Sequence, residues 1–455
     1  MKKYLFGIVC LIVFLAGNSF AQNRRADFSM SEPTEEDCSV AGTCYYVDKA
    51  VSSSGDGSSW NKAWKSFANI NWSQINPGNV IYISGGASGK SYNENLVVRA
   101  SGTLGNQIKI TKGVDAGHNG QVMFDGTGRG GTEAIFIRPT SCNGYVTISN
   151  LHFRNWAEAC IYVSGASGTT YSAAGAAKGV IVENNNIRID GRAGVYIQTS
   201  NNITVKNNHI TTSTWVNDQT DGIYSQRNRQ NLYENNTIII SNQEPTEHDD
   251  CIQMANEDTD ITIKGNYLEQ NNAKTSNAQG IMAGTLNGTT RIYNNIVNLK
   301  SSSNAMNFVG DGEDNAVVEF IGNTIFSKRP TWIYYIRGFN NPIIKNNIGV
   351  VTENTAVPMS VANFPPTEPS IVYDPLKIKN NLLWNLKTGD ISRMYENGAN
   401  TSLTQAELEA RRINLGGLNE DPQFRDPENG DFTPLNPDVC TASDTGSYVG
   451  AVPCK

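Results

Sequence analysis

Two short stretches of this chain carry carboxylates in the same register. Thr220-Asp221-Gly222-Ile223-Tyr224 returns, 29 residues later, as Asp249-Asp250-Cys251-Ile252-Gln253. If the two are stacked strands, Asp221 and Asp250 stand ~5 Å apart. Carboxylates that close do not both ionise cheaply; they share a proton, work as an acid/base pair or bind a cation. Glu247 and His248 lie on the segment feeding the second stretch, and Arg227 follows the first. Asp221, Tyr224, Arg227, His248, Asp249 and Asp250 are therefore the candidate catalytic residues. Tyr224 shares its place with Tyr162 and Tyr196 of earlier copies, and amphipathic rings suit pyranose faces. Tyr162, Tyr196, Gln226, Gln253, Gln279 and Asn307 are the candidate substrate contacts. Each has a plainer role when taken singly: a lone Asp is a turn residue, a lone His a loop residue, and tyrosines can form a mere surface ladder. Three acids and a histidine in one register favour chemistry.

The elements that would position these groups are repeats. One unit, apolar-x-apolar-x-(Asn/Gly)-Asn-x-apolar, runs Val180 to Ile187 and returns through Asn380-Asn381. Its second Asn recurs at intervals of 23, 28, 30, 29, 28, 24 and 34 residues. A second strand precedes the Asn units: Ala159-Cys160-Ile161-Tyr162, Ala193-Gly194-Val195-Tyr196, Asp221 to Tyr224, Asp250 to Gln253, Gln279-Gly280-Ile281-Met282 and Asn304-Ala305-Met306-Asn307. Two aligned columns at a coil-length period indicate an all-β, single-domain right-handed parallel β-helix with caps at both ends. A β-sandwich with Asn-rich turns would not give that period. Asn at the bends can bond to Asn in neighbouring coils and tolerates a left-handed backbone. Lys206, Lys264 and Lys345 recur beside those bends and read as solvated. Cys160 and Cys251 share a column three coils apart, ~14 Å at the stacking distance, too far for a disulfide.

Composition narrows the partners. The 455 residues carry a net charge of -7 and only 17% charged residues, which argues against duplex nucleic acid and against a disordered chain. Lys2 and Lys3, the apolar Leu5 to Ala16 and the small residues before Gln22 read as a cleavable signal peptide, and no later segment is long and apolar enough to cross a membrane. A secreted protein, a monomer, is expected. Of eight cysteines, Cys10 leaves with the signal; Cys38 with Cys44 and Cys440 with Cys454 look like staples near the chain ends. The chain divides into a signal (1–21), a leader (22–44), an N-terminal cap with the first coils (45–130), the β-helix core (131–384) and a C-terminal coil, helix and cap (385–455). Trp60 to Ile70 could hold a short helix, and Leu403 to Arg412 another, with Thr404 as cap and Glu407 three residues on.

From roughly residue 45 to 450 the sequence resembles secreted bacterial β-helix proteins of the pectate-lyase-like superfamily, which are carbohydrate-active. Thr220-Asp221-Gly222-Ile223 and Asp249-Asp250-Cys251-Ile252 resemble the strands bearing the three catalytic aspartates of polygalacturonase-type glycoside hydrolases. That family's following His-Gly is Gln279-Gly280 here, and its Asn-Gly-x-Arg-x-Lys is Asn304 to Val309. The same columns resemble the family-nine polysaccharide lyases, where aspartates matching Asp221, Asp249 and Asp250 hold Ca²⁺. Gln253 stands in place of a further aspartate ligand and Met282 in place of the lysine base. The resemblance implies a polysaccharide substrate, an acidic one if a cation or basic group neutralises it. Three readings follow: a lyase acting on a uronate-containing polysaccharide with Ca²⁺ and with Tyr224 or His248 moving the proton; a hydrolase using the three aspartates; or a non-catalytic glycan-binding solenoid. The lyase is preferred, because the hydrolase family's basic residues are absent and a cation could replace them.

Overall fold

Short runs of alternating apolar residues, each ended by an Asn or Gly bend, build three long sheets in the computed structural model. It describes residues 43–138, 142–166, 171–212, 219–241, 248–271, 278–300, 304–314, 316–328, 332–339, 342–352, 357–362, 377–385, 391–396, 399–445 and 448–454. The expected signal peptide, nearly all of the leader, Cys38 and Glu247 lie outside those residues.

Each coil gives one strand to each sheet. The first sheet has 12 strands, from Cys44–Val47 to Ile378–Lys379; the second has 11, from Lys90–Tyr92 to Leu382–Asn385; the third has 12, from Leu96–Val97 to Ala399–Leu403. Pairing is parallel throughout the coils and turns antiparallel at the last pair of the third sheet, Ser392–Glu396 with Ala399–Leu403, and in the C-terminal pair Phe424–Asp426 with Asp431–Pro434. Parallel stacking buries both faces of the strands' inward side chains, so Ile161, Val195, Ile223, Ile252 and Ile281 form one fully buried row in the interior.

The Asn pairs divide two tasks between them. The first member takes the left-handed bend: Asn184, Asn207, Asn235, Asn294, Asn346 and Asn380 have φ of 53–56°, and Gly265 and Gly322 stand in at 65° and 67°. The second member stacks. Asn208 donates from its backbone N and its Nδ2 to Asn236 Oδ1, both at 3.0 Å, and Asn236 does the same to Asn266 at 2.9 and 3.0 Å. The ladder continues from Asn185 to Asn414, so buried amides at one bend satisfy each other from coil to coil.

Both ends are closed. Trp64, Phe67, Ile70 and Ile75 plug the first coils, and in place of one helix over Trp60 to Ile70 there are three-residue 3₁₀ turns at Trp60–Lys62, Phe67–Asn69 and Trp72–Gln74. The helix Gln405–Ala410 carries the expected capping box of Thr404 and Glu407 and buries Leu408 against the last coil. The final segment differs from an end cap: Phe432, Val439, Val449 and Ala451 pack along the outside of the second sheet on Tyr267, Ile296, Phe326 and Ile348. The Cys440–Cys454 disulfide holds it. Cys44 is also disulfide-bonded, while Cys142, Cys160 and Cys251 are free and buried; the three-coil separation keeps Cys160 from Cys251.

Candidate active site

The third sheet carries both aligned columns on its outer face. Ala159 pairs with Ala193 and Ala193 with Asp221; Tyr162, Tyr196, Tyr224, Gln253, Met282 and Asn307 pair in sequence. Between the columns lie two consecutive inward residues. A Cβ on Gly222 would sit 2.5 Å from Ile238 Cγ2 and 2.5 Å from the Cys251 carbonyl oxygen. Glycine is required there, and this local turn of the strand returns Asp221 to the same outer face as Tyr224.

The aspartates meet as expected, but each spends one oxygen on the scaffold. Asp250 N donates to Asp221 Oδ1 at 3.0 Å, Gln279 N to Asp250 Oδ1 at 2.8 Å, and Thr220 N to Asp249 Oδ1 at 3.1 Å. All three residues are at most 1% exposed. Asp221 Oδ2 is buried and accepts no hydrogen bond. His248 closes the group: its Nδ1 lies 3.1 Å from Asp250 Oδ2, and its side chain is 23% exposed. Burial and the neighbouring Asp250 push Asp221 well above the carboxylate range. Burial also raises Asp250, with His248 opposing it. Burial lowers His248, but the Asp250 carboxylate outweighs it and raises the imidazole overall. The two carboxyls are therefore pushed apart, Asp221 further toward the protonated form than Asp250, which His248 opposes.

These carboxylates do not form the oxygen cage that the resemblance to family-nine lyases implies. Ca²⁺ takes six to eight oxygens, whereas the Oδ1 atoms here carry backbone N–H groups that a bound cation would repel. Among the described residues no three His, Cys, Asp or Glu side chains gather into a metal-holding group. We derive no step through a cation.

Arg227 does not reach the aspartates. It follows Gln226 at the other end of the Asp221–Gln226 strand, ~20 Å away at the strand rise. The cation at the site is Arg192, which the sequence reading missed. Its guanidinium lies 5.0 Å from the Tyr196 ring and 5.2 Å from the Tyr224 ring, and its charge acts on Asp221 and Tyr224. Its backbone carbonyl accepts from Asp221 N at 2.9 Å. The register alone could have found it, since Arg192 precedes Ala193 as Thr220 precedes Asp221.

The tyrosine column is a ladder and not an open platform. Phe136, Tyr162 and Tyr196 stack at centroid distances of 5.0 and 4.5 Å, and Tyr224 meets Tyr196 edge-on at 4.8 Å. Both faces of Tyr162 are covered, so neither it nor Tyr196 can pack face-on against a pyranose. Gln226 is engaged too, donating to the Tyr196 hydroxyl at 2.6 Å and accepting from Asn256 at 3.3 Å. Gln253 and Gln279 do lie beside Asp250, on its own strand and the next, and both are buried; Asn307 lies two coils beyond Gln253 on the outer face. Asn304, next after Gln279 in the first column, is 9% exposed and joins them.

An acidic residue, Asp258, also escaped the sequence reading. Asp258 is fully buried inside the coil, accepting from Ser225 Oγ at 2.6 Å and Asn228 N at 2.8 Å. Burial pushes it up to about 7. Tyr233, bonded to Ser225 at 2.7 Å, completes an interior polar cluster.

Residues 133–348 match the family described as right handed beta helix region. No curated protein matches the chain. Among solved structures, the pectate lyase Pel9A is similar at 18% identity over 74% of this chain and 84% of its own, with a TM-score of 0.44. The complex of XylC with xylose is similar at 11% identity over 84% and 87%, with a TM-score of 0.46. A rhamnogalacturonan lyase is similar at 14% identity over 87% and 96%, with a TM-score of 0.39. Likeness at this level carries no argument about substrate or reaction, because one fold hosts many chemistries.

Proposed function

We propose that this chain is an exported polysaccharide-degrading enzyme, a lyase that cleaves a uronate-containing polysaccharide by β-elimination. One contact supports this above all: His248 Nδ1 lies 3.1 Å from the buried Asp250 Oδ2. A carboxylate behind one ring nitrogen fixes the tautomer and leaves Nε2 as the proton acceptor. His248 is also the partly exposed member of the group, whereas Asp221 and Asp250 are buried. A hydrolase would need a carboxyl at the glycosidic oxygen, and neither carboxyl is open to one.

Neutral His248 takes the C5 proton through Nε2, and Asp250 stabilises the imidazolium that forms. The C5–H electron pair becomes the C4–C5 double bond as the C4–O bond breaks. Tyr224, which burial raises and so keeps protonated, gives its proton to the departing oxygen. Arg192 binds the uronate carboxylate and makes the C5 proton more acidic. Asp221, held protonated by burial and by Asp250, adds no charge to repel that carboxylate.

The test is incubation with a panel of uronate polysaccharides, following the ultraviolet absorbance of the unsaturated product beside reducing ends. Both should rise together. Reducing ends without unsaturated product would refute the lyase in favour of a hydrolase.

A further inference from the structure

The outer face of the third sheet changes chemistry across the aspartates. Toward the N-terminal coils the outer face carries Arg192 and the tyrosine ladder. Toward the C-terminal coils the two columns read Gln279 and Asn304, then Gln253, Met282 and Asn307, with no charged side chain. Three of those amides hold an oxygen that is buried and accepts no hydrogen bond: Gln253 Oε1, Asn304 Oδ1 and Asn307 Oδ1. Gln253 and Asn304 are each only 9% exposed. A buried acceptor without a donor is costly, and these three residues belong to the outer-face columns of the third sheet.

We infer that the substrate is a heteropolymer, with a uronate on the Arg192 side of the scissile bond and an uncharged sugar on the amide side. This rests on the lyase reading of the same site. Hydroxyls can both give to amide oxygens and accept from amide N–H groups, whereas a second uronate would meet no cation in these columns among the described residues. A neutral sugar supplies hydroxyl donors to all three. The uronate keeps its carboxylate on Arg192 and loses its C5 proton to His248. The neutral sugar departs with the C4 oxygen, now protonated, as the new reducing end. Met282, between the amides, offers an apolar contact to a sugar C–H face.

Two measurements test this. The first compares unsaturated-product formation on the homopolymers polygalacturonate and polymannuronate with that on hyaluronan and gellan, in which uncharged sugars adjoin the uronate. A rate at least about tenfold higher on one of the mixed polymers supports the inference; equal or faster cleavage of a homopolymer overturns it while leaving the lyase standing. The second uses His248→Ala, in which catalysis is removed at a partly exposed position, and measures retention in gels containing each polymer. Tighter retention by a mixed polymer, lost in His248→Ala/Asn304→Leu and in His248→Ala/Gln253→Leu, supports the inference. Indifference of retention to both amide substitutions overturns it. If the wild type yields no unsaturated product from any of the four polymers, the lyase reading falls, and retention still decides which polymer class the groove takes.

Discussion

Replacing Asp250 by Asn separates the chemistry from the scaffold. The substitution keeps an oxygen for the Gln279 N–H, which now sits 2.8 Å from Asp250 Oδ1, and removes a buried charge. Folding stability at neutral pH should therefore hold or rise. The loss falls on His248. At the 3.1 Å separation of His248 Nδ1 from Asp250 Oδ2, Coulomb's law with an effective dielectric of about 20 gives an attraction of about 5 kcal/mol. That attraction exists only when the imidazole is charged, so it favours the proton-abstraction transition state over the ground state. A general base is worth ~10²–10⁴-fold, or ~2.7–5.5 kcal/mol, which the pair can supply. Asp250→Asn should lower kcat by ~10²–10⁴ with an unfolding midpoint no lower than that of the wild type. The acid limb of the pH profile should also move. Asp250 raises His248, so the wild-type base becomes neutral only at a pH above the ordinary imidazole value. Without that charge, burial, the largest influence on His248, is opposed by Asp249 alone, and the limb shifts to lower pH. His248→Ala should cost as much as the pair together, since the two act as one unit. Initial rates of unsaturated-product formation across pH measure all three. Wild-type activity in Asp250→Asn, or an acid limb that stays in place, would refute the dyad.

Other perturbations have equally definite outcomes. Asn236→Ala leaves the Asn208 N–H and the Val205 carbonyl, now bonded at 3.0 and 2.9 Å, buried without partners; it should cost ~2–5 kcal/mol in denaturant unfolding, and a cost below about 1 kcal/mol would show the ladder to be dispensable. Asp258 is raised to about 7 in the fold against ~3.9 unfolded, so its contribution is full below pH ~4 and declines as pH rises through about 7. Asp258→Asn should therefore melt above the wild type at pH 8, with the gap closing at pH 4; a gap independent of pH would refute the buried titration. Chelation with EDTA should leave activity unchanged, because the aspartate Oδ1 atoms hold backbone N–H groups; loss of activity restored by Ca²⁺ would refute that arrangement. Cys160 and Cys251, both fully buried with thiols pushed up by burial, should resist alkylation until the chain unfolds, as read by mass spectrometry.

The coil was legible in the repeat alone. Its Asn period and its two strand columns are one-dimensional, and a solenoid repeats in one dimension, so spacing translates directly into stacking. The same register placed Asp221 and Asp250 on neighbouring rungs and put Cys160 out of reach of Cys251. Whatever depends on direction perpendicular to the strands had to wait for the tertiary structure. Burial decided that the aspartates support His248 and that the tyrosines stack on one another with their faces covered. Strand length decided against Arg227, which looks close in sequence yet lies at the far end of its strand, while Arg192 comes from the preceding coil. Interior packing revealed Asp258, whose neighbours Ser225 and Tyr233 belong to other strands. The carboxylate pair was legible because stacking distance is fixed by the backbone. Its partners were not, because which side chain fills the space beside a rung depends on bends and loops that no period encodes.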